Sequence, residues 1–236
     1  MPPTINKRKV GSIIDKLAAA YPDVVCALDH GNAYELLVAT ILSAQCTDKR
    51  VNMVTPALFA RYATPQALAE ADPAEVEELI RSTGFFRNKT KSIIGMARAV
   101  VGDHQGEIPR DFETLVALPG VARKTANVIT GTAFGIPTGI VVDTHVTRIT
   151  GLLGLTHEKD PVKIEHDLVA LVPKEDWINF GHRIIHHGRR VCIARRPQCD
   201  ACNMKRLCPS AFAEPQARPK REKSARKTPA RKTRRP

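Results

Sequence analysis

Residues Leu118–Ala126 combine a tight turn with two adjacent cations, a pattern that can bind an anion. The Pro-Gly pair predicts a turn in which Gly120 adopts a positive φ. The amide groups in the first turn of the following helix have no partners within that helix, so they can hold a phosphate. Arg123 and Lys124 lie in this first turn, where positive charge opposes the helix dipole at a cost of roughly 0.3–1 kcal/mol each. Two such cations are unusual in a purely structural turn and useful beside a nucleic acid.

The flanking residues predict one helix on each side of the turn, over about residues 111–134. Apolar residues recur at helical spacing from Asp111 onwards and again after the turn, so we expect the second helix to run from Val121 to Gly135. Ala122 then takes a helical φ. The pair resembles a helix-hairpin-helix, a clamp that holds the DNA backbone without reading sequence. The alternative is an ordinary helical hairpin with an exposed lysine, and the two first-turn cations favour the clamp.

A second group of residues that could carry out chemistry is a run of four cysteines with the spacing C-x6-C-x2-C-x5-C: Cys192, Cys199, Cys202 and Cys208. Zinc sites usually use two C-x-x-C pairs on separate turns, and this run contains one such pair. Four thiolates in one compact loop suit a 4Fe–4S cluster better, with zinc and disulfides as the alternatives. Cys26 and Cys46 have no such neighbours and are expected to be packed or half-buried thiols.

Arg195 and Arg196 lie between the first two cysteines of this run. A cluster that anchors the loop would direct both arginines outward, where they can bind phosphates. The alternative is that they are ordinary solvated arginines.

The chain carries a formal net charge of +12, which indicates a polyanionic partner such as a nucleic acid. Residues 213–236 contribute +8 of this charge through ten Lys or Arg and two Glu, so the preceding residues are only mildly basic. This tail lacks large apolar residues and is expected to be disordered. It is either a solvated extension or a flexible arm that attracts DNA.

Composition places the chain among globular proteins, because 43% of its 236 residues are hydrophobic and 25% are charged. A chain of this length can form one or two domains with a core. No apolar run is long enough to span a membrane, and the N-terminus lacks the apolar stretch of a signal peptide. We therefore expect a cytoplasmic protein without a membrane partner, in a compartment where disulfides are rare.

The elements that carry these motifs are predicted to be helical throughout. No alternating strand pattern occurs, and the apolar spacing predicts about ten helices without internal repeats. Helices are expected to start at Thr64, Asp72 and Asp160, each followed by proline at the first helical position. Pro56 should interrupt or shorten the helix that follows the polar break at residues 43–48. We expect an all-α protein.

Taken together, the motifs resemble those of the endonuclease III family of DNA glycosylase/AP lyases, over about residues 10–212. The resemblance rests on LPGVARKTANV (118–128), VDTHVTR (142–148), LSAQCTD (42–48) and the four-cysteine loop. It implies a six-helix barrel at residues 26–137 that contains the hairpin, and an iron–sulfur cluster domain formed by residues 1–25 with 138–212. DNA is then expected to bind in the cleft between the two domains.

The same resemblance assigns roles to individual side chains. It makes Lys124 the nucleophile and Asp143 its acidic partner. Gln45 should fill the gap left by a flipped base, and Phe85 should wedge into the opposite strand. The hairpin residues expected to contact the DNA backbone are Gly120, Ala122 and Arg123. Two positions depart from the family pattern, since Ala122 replaces the usual second glycine and Phe85 is larger than the expected leucine.

The reaction implied begins with a flipped base, because a base within a duplex cannot be reached. A lysine amine can displace that base and form an imine with the opened sugar, which permits β-elimination of the 3′ phosphate. Burial and the helix N-terminus favour the neutral amine of Lys124, while an ionised Asp143 favours the charged form. Asp143 can accept the proton or stabilise positive charge on the sugar. The alternative is that it is a plain helix N-cap, and a catalytic role is compatible with a capping role.

The resemblance implies a 4Fe–4S cluster as cofactor, duplex DNA with oxidised pyrimidines or abasic sites as partner, and a bacterial, nucleoid-associated monomer. The nearest rival is the adenine-removing mismatch glycosylase of the same superfamily, which should lack the hairpin lysine and carry an additional C-terminal domain. A non-catalytic DNA-binding protein or a redox sensor is the rival from another class. Lys124 and Asp143 together speak against mere binding, because a protein that only clamps DNA needs neither residue.

Overall fold

The computed structural model describes residues 7–212, so residues 1–6 and the predicted basic tail at 213–236 lie outside the described part of the chain. Residues 7–212 contain no strand, and the all-α expectation is confirmed. The described part of the chain forms eleven α-helices: α1 (Lys7–Ala20), α2 (Ala33–Leu42), α3 (Asp48–Arg61), α4 (Pro65–Ala69), α5 (Pro73–Ile80), α6 (Phe86–His104), α7 (Phe112–Ala117), α8 (Arg123–Val128), α9 (Thr144–Leu152), α10 (Pro161–Leu171) and α11 (Trp177–Arg190). None of the helices within residues 7–212 is long and apolar enough to cross a membrane.

Two clusters of buried apolar side chains form the core. The first draws on α2 to α8, and the second joins α1 to α9, α10 and α11. The extended segment before α9 serves both clusters, since Val141 belongs to the first and Ile140 and Val142 to the second. Successive side chains of an extended chain point to opposite sides, which explains this alternation. The division into domains at 26–137 and at 1–25 with 138–212 remains a prediction.

Polar side chains start most of the helices, as the sequence predicts. Thr64 accepts a hydrogen bond from the Ala67 amide at 3.2 Å, and Asp72 accepts one from the Ala74 amide at 2.9 Å. Asp160 caps α10 through the amide of Val162 at 3.0 Å. Such caps satisfy amide groups that have no partner within the helix.

The expectation that Pro56 interrupts or shortens its helix is wrong. Helix α3 continues through Pro56 to Arg61. An interior proline removes one backbone hydrogen bond and crowds the preceding turn, at a cost of about 3 kcal/mol. Val51 and Leu58, which flank Pro56 and are fully buried, hold both halves of the helix on the first core. Tertiary packing therefore overrides the local signal.

Candidate active site and nucleic-acid interface

The hairpin turn between α7 and α8 requires glycine, as predicted. Gly120 has a φ of +76°, and a Cβ added there would lie 2.6 Å from the Cβ of Ser92 on α6. The turn is closed by a hydrogen bond from the Val121 amide to the Leu118 carbonyl at 3.1 Å. Both the positive φ and the contact with α6 exclude a side chain at this position.

The structure corrects the predicted start of the second hairpin helix. Ala122 has φ −89° and ψ 164°, so it is the extended N-cap residue, and α8 begins one residue later. After Val128 the helix continues as a π-helical segment, Ile129–Ala133, and the helical run ends directly before Gly135, as predicted. Within residues 7–212 no side chain caps the first turn of α8. Alanine has no oxygen to offer there, so the first-turn amides remain available to an anion.

The two first-turn cations of α8 have different surroundings. The Arg123 guanidinium lies 4.9 Å from the centre of the Phe112 ring and 3.7 Å from Oε2 of Glu165, so it has partners within the protein. The dipole argument for a nucleic-acid role therefore applies to Lys124 more strongly than to Arg123. Lys124 is exposed, and the expectation that its side chain is buried is wrong.

Asp143 is the N-cap residue of α9, as predicted. Its Oδ1 atom accepts hydrogen bonds from the amides of His145 and Val146, both at 2.8 Å. Both bonds use the same carboxylate oxygen, which fixes the orientation of the side chain. An N-cap carboxylate is also stabilised by the helix dipole.

A cavity of about 110 Å³ brings Lys124 and Asp143 to one site. Its remaining lining comes from the 24–28 segment, the end of α2, the start of α3, Val128, Val141 and one face of α11 that includes His182 and His186. Burial lowers the pKa of His182, and burial together with the charges of Arg190 and Arg189 lowers that of His186. Both imidazoles are therefore neutral near pH 7.

The two residues expected to enter the DNA stack have the same unusual backbone conformation. Gln45 has a φ of 55° and Phe85 a φ of 49°, and neither is glycine. Both side chains are exposed, and Phe85 retains 64% of its accessible surface. A left-handed conformation costs such residues of order 1–3 kcal/mol and persists where the surrounding structure enforces it, often at functional sites.

The four cysteines of the predicted cluster loop line one cavity of about 700 Å³. Side-chain nitrogens approach two of the sulfurs: the Arg148 guanidinium donates to Sγ of Cys192 at 3.4 Å, and Nε2 of His187 lies 3.6 Å from Sγ of Cys202. In residues 7–212 no three acidic, histidine or cysteine side chains converge as they would on a single metal ion. A loop that brings four cysteine sulfurs to one cavity has the donor set that an iron–sulfur cluster requires.

His187 is buried behind this loop. Its Nδ1 lies 2.9 Å from the hydroxyl of Tyr21, the residue that directly follows α1. Burial, with the charge of Arg148 acting in the same direction, lowers the pKa of His187 to about 4. Arg195 and Arg196 are exposed on the loop itself, as expected.

Comparison with known proteins agrees with this geometry. Residues 38–174 match the family described as HhH-GPD superfamily base excision DNA repair protein. The chain is 56% identical over 208 residues to endonuclease III of Synechocystis sp., covering 88% of this chain and 95% of that protein. It superposes on a non-covalent endonuclease III–DNA complex with a TM-score of 0.84 at 42% identity, over 88% of this chain and 97% of the other.

The chain belongs to the endonuclease III family of DNA glycosylase/AP lyases. A second solved member, a trapped endonuclease III–DNA covalent intermediate, matches with the same TM-score of 0.84 and 42% identity, over 88% of this chain and 98% of the other. The resemblance inferred from the motifs is thereby confirmed.

Several residues around the endonuclease III site were not anticipated from the sequence. His182 and His186 stand four residues apart on α11, a spacing that places them on one face, but nothing local links them to Lys124. Glu165 of α10 is 7% exposed and accepts a hydrogen bond from the Asn127 amide group of α8 at 2.7 Å. Lys89 did carry a signal, because it lies on the apolar stripe of α6, four residues before Ile93.

Proposed function

We propose that the protein is a bifunctional DNA glycosylase/AP lyase that excises oxidised pyrimidines from duplex DNA and then cleaves the strand by β-elimination. The single observation that carries the proposal is the cavity shared by Lys124 and Asp143, which come from the starts of two different helices. An exposed amine and a fixed carboxylate beside a small cavity are the groups that this reaction needs. Membership of the endonuclease III family supports the same activity.

Binding begins with the DNA backbone and the displaced base. The uncapped first-turn amides of α8 bind a phosphate, while Arg195 and Arg196 add positive charge on the cluster loop. Flipping the damaged nucleotide costs a few kcal/mol, and side chains that enter the vacated space prevent its return. We assign that role to Gln45 on the lesion strand and to Phe85 on the opposite strand.

The chemical step uses the neutral amine of Lys124. Its nitrogen lone pair forms a bond to C1′ of the sugar while the base departs with the electrons of the glycosidic bond. Opening of the sugar ring gives an imine, and removal of a C2′ proton then breaks the bond to the 3′ phosphate. Asp143 accepts the amine proton or stabilises positive charge on the sugar, while its hydrogen bonds to the α9 amides hold it in place.

The four cysteines, Cys192, Cys199, Cys202 and Cys208, would hold a 4Fe–4S cluster. When bound, it supplies a rigid cross-link of the loop. The loop then presents Arg195 and Arg196 to DNA in a fixed arrangement. We further propose that the chain acts as a monomer, with DNA in the cleft between the barrel at 26–137 and the cluster domain.

Borohydride trapping tests the proposal directly, because it reduces the imine to a stable covalent adduct. Wild-type protein incubated with a thymine-glycol duplex should form this adduct. Lys124→Gln should bind abasic-site DNA but form no adduct, and Asp143→Asn should bind yet excise the base far more slowly. Lys16→Gln, at an exposed lysine of α1, serves as the matched control and should behave like wild type. Adduct formation by Lys124→Gln would remove Lys124 from its role, and binding without any cleavage by wild type would favour a non-catalytic protein.

A further inference from the structure

Lys89 occupies a position that disfavours a lysine in two ways. It is only 5% exposed, and a charged group buried away from water is costly unless it is paired. It also lies in the first turns of α6, where the helix dipole opposes positive charge. Lys89 takes no part in the proposed chemistry, so its burial requires another explanation.

The ammonium group of Lys89 binds the turn that leads to Phe85. Its Nζ donates a hydrogen bond to the Thr83 carbonyl at 2.8 Å, and its own backbone amide donates to the Phe85 carbonyl at 3.1 Å. Thr83 is itself 2% exposed, and its hydroxyl donates to the Ile80 carbonyl at 2.8 Å. Lys89 therefore holds the chain on both sides of Gly84.

The turn held in this way is conformationally strained. Gly84 has a φ of +71°, and Phe85 follows it with φ 49° and ψ 27°. Left-handed backbone costs a residue other than glycine roughly 1–2 kcal/mol. In this conformation the aromatic ring of Phe85 stays at the surface, with 64% of its area accessible. A strained conformation persists only when neighbouring contacts over-determine it, and the buried hydrogen bond from Lys89 is such a contact.

Lys89 also lies close to the turn that carries Gln45. Burial lowers the pKa of Lys89, and the neighbouring Cys46 thiol acts in the opposite direction. Cys46 directly follows Gln45, whose φ is 55°. The lysine thus binds the turn before Phe85 and interacts electrostatically with the residue that follows Gln45.

We propose that Lys89 is a positioning residue that holds Phe85 ready for insertion beside the opposite base before DNA binds. The proposal rests on the proposed function, in which Phe85 is the wedge residue. A wedge that is already ordered loses little conformational freedom on binding, so more of its contact energy is available to separate the bases.

The test compares two duplexes that differ only opposite the lesion. One places adenine opposite thymine glycol, and the other places a tetrahydrofuran abasic analogue there, which leaves no base to expel. Lys89→Met keeps an unbranched side chain and removes the ammonium donor. It should lower kcat/KM about tenfold opposite adenine and by less than about twofold opposite the analogue. Phe85→Ala should show the same pattern.

A double-mutant cycle separates positioning from a general structural role. If Lys89 acts through Phe85, Lys89→Met should add nothing to Phe85→Ala. Lys89→Arg keeps a cationic donor and should recover most of the activity opposite adenine. Lys91→Met, at an exposed lysine two residues along α6, is the matched control and should resemble wild type. Melting temperatures of all full-length variants show that the chains are folded.

Equal losses on both duplexes, or additive effects in the cycle, would overturn the positioning role. A Phe85→Ala protein with wild-type kinetics would overturn it as well, because the wedge assignment would then be wrong. A wild-type protein that cleaves neither duplex would refute the proposed function itself, and that outcome is distinguishable because it precedes any comparison of variants.

Discussion

Ala122→Ser should make the protein more stable and at the same time weaken its binding to DNA. Ala122 already has the extended backbone of an N-cap residue, with φ −89° and ψ 164°, but provides no capping oxygen. Thr64 shows the geometry expected of a hydroxyl at such a position, since it has φ −133° and ψ 158° and accepts the Ala67 amide at 3.2 Å. The introduced hydroxyl can therefore accept an amide of the first turn of α8 without rearrangement.

The size of both effects follows from this one hydrogen bond. A polar N-cap is typically worth about 1 kcal/mol over alanine, within a range of roughly 0.5–2. For a chain of this size each kcal/mol raises the melting temperature by about 2–4 °C. A phosphate that needs the same amides must first displace the hydroxyl, so the free energy gained by the free protein is lost on binding. About 1 kcal/mol corresponds to a roughly fivefold weaker complex.

The measurement pairs thermal melting with the affinity for an abasic-analogue duplex at fixed salt, since salt alone changes such affinities. Ala122→Gly is the matched control, because it adds no oxygen and should leave the affinity within about twofold of wild type. The glycine penalty of a helix interior does not apply there, since glycine is accepted at N-cap positions. A more stable serine variant that binds DNA as tightly as wild type would refute phosphate binding by these amides. A serine variant of unchanged stability would show that the amides already have partners.

Two further predictions concern the hairpin turn and the cysteine loop. Gly120→Ala should lower the melting temperature, because the positive φ costs roughly 1–2 kcal/mol and the new Cβ meets Ser92. Adding Ser92→Gly should relieve the clash but not the backbone strain, and full recovery would contradict the φ argument. The purified protein should be brown and contain about four iron atoms per chain. Colourless protein with stoichiometric zinc would exclude the cluster.

Features that depend on adjacent residues were predictable from the sequence. The caps at Thr64, Asp72 and Asp160 form because a short polar side chain reaches the amides of its own first turn. Gly120 adopts a positive φ because a Pro-Gly turn between two helices requires it. The close spacing of the four cysteines likewise restricts them to one loop.

Local signals failed where tertiary packing competes with them. Pro56 should break α3, but burial on both sides keeps the helix intact. Ala122 fits the apolar period of α8, although it is the extended residue before the helix. Apolar periodicity shows which side of a helix is buried but locates the helix ends less well. The observed start of α8 therefore differs from the predicted one. The carboxylate that pairs with Arg123 belongs to Glu165 of α10, and no residue spacing within the hairpin predicts this contact.

The sequence by itself determined the all-α class, the Pro-Gly turn and the cysteine loop, since each follows from the chemistry of neighbouring residues. Only the tertiary structure decided that Lys124, Asp143, His182 and His186 line one cavity, and that Lys89 reaches the turn before Phe85. These placements depend on how each helix is rotated and packed against the others. That rotation is set by two apolar cores assembled from distant segments, and no local propensity contains it.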